Sequence, residues 1–189
     1  EKISKVNKVH KFQDLRKNKT KNFRSFTFIV EYEDNITLEL LIESDPDYDK
    51  KYKTFKRIEK RALYFAKMYG RMPHFLKTYN KKIYIHENRA KDDGTWWAQV
   101  DKREFHINES ICQTGGPEWC LETMIHELAH VIQDITGVIS PSKWLKARKL
   151  DNKKYCSKYG KKNSREDFAE SMLCWIGLRY KAERIRKSN

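Results

Sequence analysis

Residues 117–137, PEWCLETMIHELAHVIQDITG, constrain the fold more than any other stretch of the chain. Leu121, Met124, Ile125, Leu128, Val131, Ile132 and Ile135 recur at three- and four-residue spacing, and Gly137 follows as a stop. The segment therefore reads as a helix from Pro117 to Ile135 with a broad apolar stripe. A helix this apolar must pack into a protein body, yet His126, Glu127 and His130 stand in its middle. On a helix His126 and His130 lie one turn apart on the same face. Both imidazoles can then reach one ion at a Zn–N distance of about 2.0–2.1 Å. Glu127 is rotated round the helix by roughly 100°. It is too far round to complete the triad, but it can hydrogen-bond a water on the metal, which is the physical content of the H-E-x-x-H pattern. The plain alternative is an amphipathic helix with two polar histidines. Placement weakens it, because unpaired His and Glu are costly to bury.

A catalytic zinc takes three protein ligands and keeps one position open. The six histidines are His10, His74, His86, His106, His126 and His130, so none follows the motif. A downstream third ligand must then be a carboxylate or, less favoured, Cys156. The downstream acids are Asp134, Asp151, Glu166, Asp167, Glu170 and Glu183. Asp134 is one turn beyond His130 on the same helix and could only orient it, while Asp151 falls in a basic loop. Glu166 and Glu170 are one turn apart on a last helix read from NSREDFAESMLCWIGLRYKAERIRK. There Phe168, Met172, Leu173, Trp175 and Ile176 supply the apolar stripe, and Ser164 with Asp167 forms a capping box. Solvent-facing acids paired with Lys and Arg are the ordinary reading of two such glutamates. The functional one has Glu166 bind metal while Glu170 accepts the free ring N–H of a ligand histidine.

HELAH followed by YGKKNSREDFAESM resembles the peptidase domain of the anthrax lethal factor and its relatives, among them the secreted Pro-Pro endopeptidases. The shared pattern is H-E-x-x-H, then Tyr-x6-Glu-x-F-A-E, here Tyr159, Glu166 and DFAE. The resemblance covers roughly Trp96 to Trp175. It implies an α+β, zincin-like metallopeptidase domain: a small mixed sheet packed on a zinc-binding helix, with a C-terminal helix bearing the glutamate. It implies one catalytic Zn2+ held by His126, His130 and Glu166. It makes Glu127 the general base, Tyr159 the hydroxyl facing the oxyanion, with Tyr155 as rival, and Glu170 a partner behind the ligands. It also implies that the strand in GTWWAQV forms the substrate edge, so Trp96, Trp97 or the strand Glu104–Asn108 are expected there. The ordinary role for both tryptophans is core packing. The activity implied is a zinc metalloendopeptidase acting on protein or peptide.

Elsewhere, FRSFTFIVEYEDNITLELLIE reads as two strands joined by a YEDN turn. A helix follows, with Asp45 or Asp47 near its start, Phe55, Ile58, Ala62, Phe65, Met68 and Tyr69 on its apolar face and Gly70 as its stop. KIYIHE is a short strand, Trp96–Val100 and Glu104–Asn108 a second hairpin, and SPSKWLKARKL a short helix. Residues 1–22 are polar and basic and read as an arm or short helix beside a single domain spanning 23–189. Cys112 and Cys120 flank a Gly-Gly-Pro loop that a disulfide could bridge; Cys174 reads as core.

The net charge is +14. Residues 1–24 hold nine Lys/Arg and two acids, and residues 139–189 hold fifteen and five, so the centre is slightly acidic. Basic ends favour an anionic partner, here an acidic substrate, although a solvated Lys-rich surface needs none. Nucleic acid is not favoured, since few aromatics interleave with the basic residues for base stacking. A DNA-associated zinc protease of the type completed by a later histidine is disfavoured by the absence of one. A regulatory zinc protease or a non-catalytic basic nucleic-acid-binding domain remain as alternatives. No apolar run approaches the roughly 20 residues a membrane span requires, and no signal-type segment stands at the front.

Overall fold

The computed structural model describes residues 2–14, 19–43, 55–86, 97–99, 103–138, 140–152 and 154–180. They form a mixed α+β architecture. Six strands, β1 (Lys2–Asp14), β2 (Lys19–Glu31), β3 (Thr37–Glu43), β4 (Lys82–His86), β5 (Trp97–Gln99) and β6 (Glu104–Asn108), make one sheet in the order β1-β2-β3-β4-β6-β5. The helices are α1 (Phe55–Gly70), α2 (His74–Lys77), α3 (Glu109–Thr114), α4 (Gly116–Thr136), α5 (Pro141–Leu150) and α6 (Ser164–Tyr180), with a 3-10 turn at Tyr159–Lys161 before α6.

The β2–β3 hairpin forms where the alternation and the turn residues predict it, closed by Tyr32 and Ile36 across the turn. Its outer neighbour differs from the expectation. Residues 2–14 are neither an arm nor a helix but a thirteen-residue strand paired antiparallel with β2. The apolar residues Ile3, Val6, Val9 and Phe12 fall every third position, matching neither the strand period of 2 nor the helix period of 3.6. Backbone pairing with β2 decides the conformation, and at the open end of the ladder Lys2 is registered opposite Glu31.

β3 and β4 are parallel, as are β4 and β6. A parallel pair needs a crossover, and α1 supplies the first. Its buried residues Ile58, Ala62, Phe65, Ala66 and Tyr69 lie against Leu38, Leu40, Ile42, Ile83, Ile85, Phe105 and Ile107 from the sheet, and Met124, Leu128 and Val131 of α4 complete the same core. Truncating one of these large side chains, such as Phe105, would cost about 3–5 kcal/mol. Arg61 on α1 bonds the Glu43 carbonyl at 3.1 Å and pairs with Glu109 at 2.6 Å. The expected helix start at Asp45 or Asp47 lies outside the described residues.

The opposite face of the sheet is buried too, but polar. Glu43, Tyr84, His86, Glu104, His106 and Asn108 alternate with the core residues. His86 bonds Glu43 through Nδ1 at 3.1 Å and His106 through Nε2 at 3.0 Å, and Tyr84 stacks on His106. β3, β4 and β6 are thus covered on both faces, which suits parallel strands.

Candidate metal centre

α4 is fixed at both ends. The disulfide Cys112–Cys120 ties it to α3, as the spacing of these cysteines around the Gly-Gly-Pro loop suggests. Gly137 ends it in the left-handed conformation (φ 59°), its N–H bonding the Gln133 carbonyl at 3.0 Å. Only residues without a β-carbon penalty take that cap readily. Between these ends residues 123–133 are all buried. The apolar stripe faces the sheet and the His-Glu face meets α6.

α6 approaches closely because the contact is made by small residues. Ala129 and Ala169 are both fully buried and pack beside Phe168. Its first turn is held by Asn163, whose Oδ1 accepts from the backbone N–H groups of Arg165 and Glu166, each at 2.9 Å. The cap is therefore Asn163, one residue before the expected Ser164. The expected reciprocal bond from Asp167 gives way to tertiary contacts. Trp144 Nε1 of α5 donates to Asp167 Oδ2 at 2.9 Å, Arg148 pairs with the same oxygen at 3.3 Å, and Arg148 also donates to Ser164 Oγ.

These constraints bring Glu166 onto the histidines. Glu166 Oε2 lies 3.1 Å from His126 Nε2 and 3.3 Å from His130 Nε2. Ligand atoms of His126, His130 and Glu166 all fall within 4.8 Å of one another. Two ligands 2.0–2.1 Å from a tetrahedral zinc are about 3.3 Å apart; the Glu166 distances to both histidines match that spacing, and the N, N, O donor set could hold a metal ion. Glu170 Oε1 accepts from His126 Nδ1 at 2.8 Å. Nε2, 3.1 Å from Glu166 Oε2, is then the ring nitrogen on the side where an ion would sit. Gln133 stands beside His130, but their geometry falls short of a hydrogen bond. His130 Nδ1 and Gln133 Oε1 are both buried without a hydrogen-bond partner among the described residues.

The electrostatics follow from burial and crowding. Burial pushes the Glu127 carboxyl up to about 7, with the Glu166 charge adding to the rise. Burial, then the charge of His126, lowers His130. Burial would lower His126 as well, but Glu170, Glu127 and Glu166 together raise it. Glu170 is lowered, first by its hydrogen bond from His126. Three carboxyls around two imidazoles form a pocket suited to a cation.

Tyr159 is on the 3-10 turn with its ring 5.8 Å from that of His126, and burial followed by the Glu166 charge raises its phenol. Tyr155 points elsewhere. Its hydroxyl accepts from Arg148, and it borders a separate cavity. Asp134 pairs with Arg165 at 2.8 Å and does not orient His130. Asp151 follows α5 on the exposed surface. Cys156 is exposed and stands beside the half-buried Cys174, which burial pushes up to about 12.

Of the expected substrate edge, Trp97 opens β5 at the rim of the sheet, next to β6. Trp96 lies outside the described residues. The alternative edge, Glu104–Asn108, is overturned. As β6 it is paired along its whole length with β4 and, over Glu104–His106, with β5, so it is an interior strand there and not the edge.

Sequence reasoning missed Gln133, Asn163, Trp144 and Arg148. Gln133 is three residues beyond His130 on one helix face and was legible in principle. Trp144 and Arg148 act from a different helix, which no local pattern reveals.

No family model, curated protein or solved structure matches this chain. Among the described residues no helix is long and apolar enough to cross a membrane.

Proposed function

We propose that this chain is a zinc-dependent endopeptidase of the zincin type. The observation that carries the reading is the convergence of His126, His130 and Glu166 from two helices within 4.8 Å, with Glu127 adjoining them. His126 Nε2, His130 Nε2 and a Glu166 oxygen would hold the ion. Zinc supplies Lewis acidity, which makes water nucleophilic near neutral pH. Glu127 takes the proton as the water attacks the scissile carbonyl and then delivers it to the leaving amine. Burial pushes its carboxyl up to about 7, which suits it to both transfers near neutral pH. The Tyr159 hydroxyl donates to the developing oxyanion; one such donor is worth about 2.7–4 kcal/mol. Glu170 holds the His126 ring in the tautomer that presents Nε2. The substrate backbone lies extended along β5, whose outer edge is the open side of the sheet nearest α4, and adds one strand.

The test is metal content and peptide cleavage measured on one set of proteins. Wild type should bind one zinc per chain and cut peptides. Glu127→Ala should keep the zinc and lose turnover by roughly 100-fold or more. Glu166→Ala should lose the zinc. Full metal and activity in Glu166→Ala would overturn the ligand assignment.

A further inference from the structure

Between α4 and α6 the chain builds a strongly basic surface that the reaction above does not use. Residues 140–165 hold ten Lys/Arg and one acid, Asp151. Seven lysines, Lys143, Lys146, Lys149, Lys154, Lys158, Lys161 and Lys162, are exposed, and none has an ion-pair partner among the described residues. The nearby acids are turned elsewhere. Asp167 is buried against Trp144 and Arg148, Asp134 is taken by Arg165, and Glu166 and Glu170 face the histidines. The cations are also crowded. Arg148 and Lys161 both stand over the Tyr155 ring, at 5.0 and 5.9 Å, and Lys162 stands over Tyr159 at 5.2 Å. Unneutralised charge of one sign repels itself and draws anions.

Two features say more about the anion. Leu145 and Leu150 on α5 are 48% and 76% exposed among these lysines. Leu150 also lines a cavity of about 440 Å³ with Asp151, Asn152, Lys154, Tyr155 and Cys156. That lining is mixed, with one cation (Lys154) and one acid (Asp151); it is the two exposed leucines among the lysines that fit a polypeptide with both acidic and apolar side chains. The surface fits a nucleic-acid strand poorly, since stacking needs open aromatic faces and the Tyr155 ring has cations over it. The surface is also continuous with the candidate centre, because Lys158, Lys161 and Lys162 flank Tyr159 on the same turn.

We infer that the α5–Tyr159 surface docks an acidic, leucine-bearing segment of the polypeptide substrate and delivers it to the centre. This rests on the peptidase reading for its role in delivery. Lys146, Lys149 and Lys154 attract the carboxylates, and the exposed Leu145 and Leu150 meet the apolar side chains.

The experiment uses the zinc-loaded Glu127→Ala protein, so that the probe is not cut, and a fluorescent peptide rich in Glu and Leu. Adding Lys146→Glu, Lys149→Glu and Lys154→Glu should weaken binding at least about tenfold, with the wild-type binding falling as salt rises. A charge-matched control, Lys60→Glu with Lys67→Glu and Lys81→Glu, should change it far less. Equal loss in both triple variants would reduce the effect to net charge and overturn the docking surface. So would tighter binding of an oligothymidylate of equal charge, or unchanged binding in the first variant. Circular dichroism and zinc content of each variant exclude misfolding. Specific peptide binding with no cleavage by wild type would retain the surface and sink the peptidase reading. Cleavage of neutral and acidic peptides alike, indifferent to the three lysines, would do the reverse.

Discussion

Glu127, Glu166 and Glu170 are the same residue type within one pocket, and their surroundings give them different properties. Glu170 is held ionised by the His126 N–H. Glu127 is almost fully buried, and its carboxyl is pushed up to about 7 from 4.5. A carboxyl raised in the folded state favours folding while it is protonated. That contribution is complete below the unfolded value and is lost as pH rises from 4.5 to about 7. The metal-stripped protein should therefore lose stability across that window relative to Glu127→Gln, by on the order of 1–3 kcal/mol. Urea unfolding of both proteins at pH 5 and pH 8 measures it, and parallel curves would show that Glu127 is not the group responsible. The buried, unbonded pair of His130 Nδ1 and Gln133 Oε1 is the matching detail on the second histidine.

At the level of elements, the position of Glu166 depends on how α6 starts. Asn163 caps the two N–H groups of Arg165 and Glu166, so Asn163→Ala should cost about 1 kcal/mol and, on the proposed reading, weaken metal binding, because the candidate ligand Glu166 sits on the freed turn. Ser164→Ala should cost less, since Ser164 receives one side-chain bond from Arg148. Thermal melts of the two variants decide between the caps. Both residues are good cap types in sequence, and the choice is made by Asp167, which is drawn to Trp144 and Arg148 and cannot reach back. β1 gives a similar lesson in the sheet. A three-residue apolar spacing carries no secondary-structure signal, and the strand exists because β2 offers a backbone edge. By contrast β2, β3, β4, α1 and α4 are legible because burial on one or both faces leaves a clear period in the residues.

Across the whole molecule, the candidate ion would join α4, which belongs to the sheet core, to α6, which comes after the long basic segment. Binding to the folded state alone stabilises it by about 2.7 kcal/mol when free ligand is 100 times Kd. For a chain of this length that is roughly 5–10 °C in Tm. Calorimetry with and without a chelator should show the shift in wild type and none in Glu166→Ala. A chelator-insensitive wild type would argue against a structural bond through metal.

The sequence by itself determined the apolar helix with His126 and His130 on one face, the β2–β3 hairpin, the disulfide-capable spacing of Cys112 and Cys120, and the candidacy of Glu166. Each is a matter of local spacing, which period, turn chemistry and side-chain type express directly. Only the tertiary structure decided that Tyr159 rather than Tyr155 stands beside the histidines, that Asn163 caps α6, and that β6 is interior. It also decided that residues 2–14 form a strand. These depend on which distant surfaces meet: α5 pulling Asp167 and Tyr155 to one side, β5 covering β6, and β2 templating β1. Contacts between residues far apart in the chain leave no period for a single sequence to show.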